Sequence, residues 1–250
     1  MTLDVLLPNW PVPAGIRAAF TLRTGGISQP PFEDFNLAAH VGDDPRAIAE
    51  NRRRLREGLG LPGEPAWLEQ VHGHRVIDLD GQPSCGSLGP ADGAVTRSRA
   101  RVCAIQVADC MPVLLATHDG SAVGAAHAGW RGLAGGVLEA TVRAMNTPSG
   151  ELLAWLGPAI GQRHFEVGEE VRAAFLAADA GAAAAFSANG RGRWQCDLYA
   201  LARRRLANLG VNAVFGGGWC TFADRGRFFS YRRDGRCGRM AALIWRDPSP

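Results

Sequence analysis

The sequence contains no lysine: all 27 of its basic residues are arginine. Schiff-base catalysis and the phosphate-binding lysine of a P-loop are therefore both excluded. Against 24 acidic residues the net charge is only +3, too small to imply a nucleic-acid partner. No apolar stretch approaches the ~20 residues that span a bilayer, and no N-terminal run resembles a signal peptide. Six cysteines, at positions 85, 103, 110, 196, 220 and 237, lack paired spacing. That pattern points to reduced thiols in the cytoplasm and against a disulfide framework. No repeat is present, and 250 residues with 46% apolar and 20% charged content suit one soluble domain over residues 1–250.

Strand and helix signals interleave along the chain. Residues 18–23 alternate as a strand. Asp43-Asp44-Pro45 opens a helix through Ile48, Asn51 and Leu55 to a stop at residues 58–60. Its Arg52-Arg53-Arg54 run reads as a solvated face. Residues 67–77 read as two short strands around a glycine turn, carrying His72 and His74. Residues 101–107, 152–156 and 211–215 read as strands, and 167–178 and 197–209 as helices. The Ala/Gly-rich segment 180–192 carries little information. Phe228 to Arg232 and Met240 to Trp245 read as a closing hairpin around Asp234-Gly235. Hairpins dominate, so an α+β fold is expected: a mixed β-sandwich flanked by helices, not a doubly wound parallel sheet.

Residues 106–132 concentrate the chemistry. Cys110 precedes an apolar run, Val113 to Ala116, and a turn follows at His118-Asp119-Gly120. A second run, from Ala122, ends at His127. Asp-Gly between two β-prone runs is a hairpin signal. Folding back there would return Cys110 and His127 to one end, one or two residues out of register, an offset a bulge could absorb. Next, Ala-Gly-Trp-Arg-Gly leads into a helix over 133–145, whose start, beside Arg131 and Gly132, is expected to seat an anion. With His72 the pair makes a Cys/His/His set, which leaves tetrahedral zinc one open position. His74 and Cys103 are the nearest candidates for a fourth ligand. A metal-free Cys/His nucleophile pair remains the alternative. Asn36 and His40 lie on a polar, irregular stretch able to line a site.

Several motifs together resemble one family. Gln70-Val-His-Gly, Ala108-Asp-Cys-Met-Pro-Val and His127-Ala-Gly-Trp-Arg-Gly are similar to the YfiH/laccase-domain proteins. So are Thr21-Leu-Arg-Thr-Gly-Gly, Asn36-Leu-Ala-Ala-His-Val-Gly-Asp-Asp, Phe228-Phe-Ser-Tyr-Arg-Arg-Asp-Gly and Gly238-Arg-Met. Members of that family are described as polyphenol oxidoreductases, purine nucleoside phosphorylases or peptidoglycan-editing factors. The resemblance implies a sandwich distantly like the catalytic domain of cytotoxic necrotizing factor. It also implies zinc, with copper as the other metal considered, on His72, Cys110 and His127.

Three activities follow from the resemblance as expectations. The first is zinc-dependent phosphorolysis of adenosine, inosine and methylthioadenosine, with adenosine deamination by activated water. Phosphate would lie by Arg131, with Arg23 and Arg52 as second candidates and Asn36 and Gly132 nearby. Asp109 would orient a ligand or carry a proton. The His-x-Glu and Pro-Cys-x-x-Cys signature of nucleobase deaminases is absent, which leaves Glu166 as a weak candidate base. The second activity is amide hydrolysis by Cys110 and His127, editing amino acids in UDP-muramyl cell-wall precursors. The third, copper oxidation, would place Met111 near Cys110. Six histidines with a single His-x-His pair, His72-Gly-His74, cannot build a trinuclear copper cluster. The expected partners are small molecules (a purine nucleoside and phosphate), not nucleic acid or membrane, for a monomer or homodimer.

Overall fold

The computed structural model describes residues 3–83 and 88–248, so Cys85 lies outside the described residues. Strands of the first half are β1 (Val5–Leu6), β2 (Ile16–Thr21), β3 (Pro65–Trp67), β4 (Val76–Asp78), β5 (Gly93–Thr96), β6 (Val102–Val107) and β7 (Met111–Thr117). The second half adds β8 (Val123–Ala128), β9 (Leu152–Leu156), β10 (Glu166–Val167), β11 (Phe186–Ala188), β12 (Trp194–Cys196), β13 (Ala213–Gly216) and β14 (Met240–Arg246). The helices are α1 (Pro45–Leu59), α2 (Trp130–Ala134), α3 (Val137–Met145), α4 (Glu169–Leu176), α5 (Leu198–Asn208) and α6 (Tyr231–Asp234).

Two mixed sheets carry the fold, in the orders β1-β2-β14-β6-β3 and β13-β9-β7-β8-β5-β4. Alternation along their strands separates three cores. On β7, Leu114 and Ala116 meet Cys103 and Ile105 of β6 and Ala242 and Ile244 of β14 between the sheets. The intervening Val113 and Leu115 face a core built with Val137, Leu138 and Val142 of α3 and Leu201 and Leu206 of α5. The outer face of the five-stranded sheet, with Ala104 and Leu243, packs on Leu55 of α1. The order is therefore helices, sheet, sheet, helix: the expected α+β sandwich. Among the described residues no helix is long and apolar enough to cross a membrane.

Local signals account for the helix ends. Asp44 caps α1 by accepting from Arg46 N at 2.8 Å, Pro45 fills its first turn, and Gly60 ends it at φ +56°. Asp197 caps α5 through Ala200 N. Elsewhere the structure departs from the sequence expectation. The expected helix over 133–145 is two pieces, α2 and α3, because Gly136 takes φ +94° and breaks the first after one turn. The expected closing hairpin does not form. Ser230 instead caps α6 through Arg233 N, and β14 pairs with β2 and β6 in the centre of its sheet. β3 and β4 are not a hairpin either; each runs parallel to a strand of a different sheet. The segment carrying His72 thus crosses from one sheet to the other. Segment 180–192, uninformative by composition, supplies β11 to a small third sheet.

Leu114 is wholly buried between the two large sheets. Leu114→Ala is expected to cost about 2–5 kcal/mol, read as a lower urea midpoint at unchanged m-value.

Candidate metal centre and its pocket

The β7–β8 hairpin sets the first two candidate ligands. Its register is continuous, with Pro112 opposite His127 and Met111 opposite Ala128. Cys110 therefore lies one step beyond the ladder and two residues from His127 in register, and no bulge is needed. Cys110 Sγ lies 3.8 Å from His72 Nε2, and the His72 and His127 rings meet edge-on with centroids 4.8 Å apart. The three candidate ligand atoms fall within 4.8 Å of one another.

Asp92, at the end of the loop before β5, assembles this set. Its fully buried carboxylate accepts from the backbone N–H groups of Val71 (3.2 Å), His72 (2.9 Å) and Gly73 (2.7 Å). It also takes His127 Nδ1 at 2.8 Å, leaving His127 Nε2 as the other ring nitrogen. The backbone bonds hold His72 at φ +61°, a left-handed conformation uncommon for histidine. Burial pushes the Asp92 carboxyl up, but His127 and Gly73 N–H outweigh it and keep it below its ordinary range. For Cys110 burial likewise raises the thiol, and the charge of His127, then the bonds from both imidazoles, bring it down to about 6. The thiolate, the form that binds metal, is the favoured one.

Two glycines leave room for the set. A Cβ on Gly129 would sit 2.7 Å from Cys110 Sγ and 3.3 Å from His72 Cδ2. One on Gly132 would meet Gly73 O at 2.9 Å and His127 O at 3.1 Å. The donor set fits zinc: one thiolate, two imidazoles, a carboxylate behind one of them, and an open side toward a cavity. The 3.8 Å spacing from sulfur to nitrogen also suits two ligands of a single ion at about 2.3 and 2.1 Å.

That cavity, of roughly 520 Å³, opens at the ends of both large sheets. One wall is apolar: Trp130, Ile160, Phe165 and Leu198, all from the helix-side core or packed on it. The polar part of the lining comes from the five-stranded side, with His40, Gln70, Gln106 and Arg239. Burial, then the charges of Arg239, Arg52, His127 and His72, lower the His40 pKa. Helix α6 joins the walls through Tyr231, under Arg239, and Arg232, over the Phe165 ring.

The structure brings together only some of the residues singled out in the sequence. His72, Cys110 and His127 converge, and Asp109 and Arg131 line the same cavity. Asp109, at φ +92°, has both carboxylate oxygens engaged, by Thr221 Oγ1 and Arg232 N at 2.6 Å each. Arg23 lies outside the cavity, donating to the carbonyls of Arg225 and Glu33. Arg52 is half-buried and outside the cavity; it stacks on Trp67 and donates twice to Leu37 O. Asn36 is completely buried beneath the cavity wall. Gly132 packs against backbone, and α2, with five residues, is too short to act as an anion seat on its own. His74 is exposed and outside the ligand set, and Cys103 is buried between the sheets. Met111 points into the helix-side core, away from Cys110. Glu166 is tied to Asn189 and Arg191. Sequence reasoning missed Asp92, Gln70, Gln106, Arg232 and Arg239 as parts of the site. Gln70, Arg232 and Arg239 each lie inside one of the family motifs, which was the only signal for them; Asp92 and Gln106 had none.

Residues 17–247 match the family model described as multi-copper polyphenol oxidoreductase laccase. The chain is 56% identical over 242 residues to purine nucleoside phosphorylase PA4543 of Pseudomonas aeruginosa, covering 96% of this chain and 97% of that one. It is 51% identical over 241 residues to purine nucleoside phosphorylase YfiH of Escherichia coli, covering 96% and 98%. The crystal structure of Neisseria meningitidis protein NMB0706 superposes with a TM-score of 0.94 at 47% identity, covering 98% of this chain and 99% of that one. Bacillus licheniformis YfiH gives 0.87 at 29% identity, covering 93% of each. The fold and these matches together show that the chain belongs to the YfiH/laccase family of multi-copper polyphenol oxidoreductase laccase proteins.

Proposed function

We propose that this protein is a zinc-dependent, cytoplasmic purine nucleoside phosphorylase, a single domain over residues 1–250. It converts adenosine, inosine and methylthioadenosine to free base and (methylthio)ribose 1-phosphate, and it also deaminates adenosine. The observation that carries the reading is the convergence of His72, Cys110 and His127 at a cavity lined by apolar rings, polar side chains and three arginines. The names of the relatives support the substrate class.

Cys110 Sγ, His127 Nε2 and His72 Nε2 would hold the ion, with Asp92 fixing the His127 ring. When bound, the ion supplies Lewis acidity. The site would favour zinc over copper, because Met111 faces the helix-side core and offers no thioether to the Cys/His/His set. The flat side chains of Trp130 and Phe165 stack a purine base and exclude water from it. The positive charge for phosphate comes from among the three arginines at the cavity, Arg131, Arg232 and Arg239. Asp109, with both oxygens engaged, acts by positioning the Cys110 loop and not as a proton carrier.

A second reading has one specific observation in its favour. Asp92, His127 and Cys110 follow one another as carboxylate, imidazole and thiol, the order of a Cys/His amide hydrolase. It would edit amino acids in UDP-muramyl precursors with no metal.

Purified protein is expected to carry about one zinc per Cys/His/His site and to release base from adenosine only with phosphate. Cys110→Ala should lose both zinc and turnover. Base release that needs neither phosphate nor metal, or that survives Cys110→Ala, sinks the phosphorylase reading. Release of an amino acid from a UDP-muramyl precursor by metal-free protein promotes the second. Asp92→Asn is expected to weaken zinc binding about 10–100-fold in a chelator competition.

A further inference from the structure

Three arginines reach the cavity, and they are not equivalent. Arg131 is exposed, lies over the ring of its own neighbour Trp130, and its guanidinium has no hydrogen-bond partner among the described residues. Arg232 is exposed over Phe165, with one bond to Glu166 O. Arg239 is half-buried. Its Nη1 is pinned to Cys237 O at 2.8 Å and Gly238 O at 3.1 Å, which leaves Nε and Nη2 without partners among the described residues.

The chain beneath Arg239 is held with unusual thoroughness. Asn36 Oδ1 accepts from Arg239 N at 2.9 Å and from Ala38 N at 3.0 Å. Asn51 Nδ2 donates to Asn36 O at 2.9 Å. Leu37 O takes Gln106 Nε2 at 2.8 Å and both Nε and Nη2 of Arg52. Asn36, Asn51 and Gln106 are all buried. Buried amides spent on one loop fix its position at a real desolvation cost. Of that loop, His40 is the side chain that reaches the cavity. The result is a pre-organised guanidinium beside an imidazole, which binds an anion without the ordering cost that exposed Arg131 must meet.

The chemistry of displacement decides which end takes phosphate. In phosphorolysis a phosphate oxygen forms its bond to C1′ as the C1′–N9 bond breaks and its electron pair leaves on the purine. The proton that hydrogen phosphate gives up is the one the purine takes up. Nucleophile and leaving group lie on opposite sides of C1′, so phosphate must sit across the cavity from the base. The flat apolar wall, Trp130 and Phe165 with Arg131 and Arg232 laid over them, suits the base. We propose that Arg239 and His40 form the seat of the phosphate co-substrate, and that Asn36 positions both. This assignment rests on the phosphorolysis reading and moves the seat away from Arg131.

The test is calorimetric titration of inorganic phosphate into zinc-loaded protein, alongside inosine titration, zinc content and thermal unfolding. Arg239→Gln and His40→Gln are each expected to weaken phosphate binding about tenfold or more, the scale of a lost charge-assisted contact. Zinc content and inosine affinity should stay at the wild-type level, and Arg131→Gln should change phosphate affinity by less than about twofold. Should Arg239→Gln disturb folding, His40→Gln, which removes no backbone brace, carries the test. Loss of phosphate binding in Arg131→Gln but not in the other two overturns the assignment, as does wild-type protein that binds no phosphate. Phosphate binding that depends on Arg239 and His40, without turnover of any nucleoside, upholds the seat and sinks the phosphorylase reading instead.

Discussion

One buried carboxylate organises the centre of this molecule. Asp92 gathers three consecutive backbone N–H groups and one imidazole nitrogen. An unpaired charge there would be costly, so the four donors are held as firmly as the carboxylate is buried. The same bonds fix the left-handed backbone of His72 and select the ring nitrogen His127 presents. Two candidate ligands from distant parts of the chain thus take their orientation from one side chain, which itself lies outside the cavity lining.

The rest of the centre follows from close approach. The hairpin puts Cys110 just past the end of its ladder, and the chain after β8 has to pass the sulfur at once. Only glycine at 129 allows that passage, and only glycine at 132 lets α2 lie against the His72 loop. The two sheets end at one level, so their termini leave a cavity with unlike walls, one from the helix-side core and one from the five-stranded sheet. The apolar wall and the polar wall that carries Arg239 are consequences of which core each sheet end adjoins.

Legibility in the sequence tracked the range of the interaction. The thiol and imidazole of the hairpin were legible because alternation and an Asp-Gly turn bring them together over eighteen positions. His72 was legible by its family motif, and the spacing allowed it without requiring it. Asp92 was not, because an aspartate before a strand has no periodic or spacing signature. Arg23, Arg52 and Asn36 look in the sequence like polar residues available to a substrate. In the fold their hydrogen bonds are spent on carbonyls and on the loop under the cavity, a brace no local pattern reveals. The missing closing hairpin has a related cause. Ser230 offers the backbone a helix cap locally, and β14 finds two partner strands far away in sequence.

The sequence by itself determined the chemistry: no lysine, one thiolate candidate and two imidazoles in motifs, glycines beside them, and alternation sufficient for a helix-flanked sandwich. Those are properties of residue type and short-range spacing, which a linear pattern carries. The tertiary structure alone decided that β3 and β4 part company, so that the His72 loop crosses between sheets to reach Asp92. It also decided which arginines face the cavity and which brace its floor. Both outcomes depend on contacts between segments tens to hundreds of residues apart, where the cost of burying a polar group, and not its local preference, selects its partner.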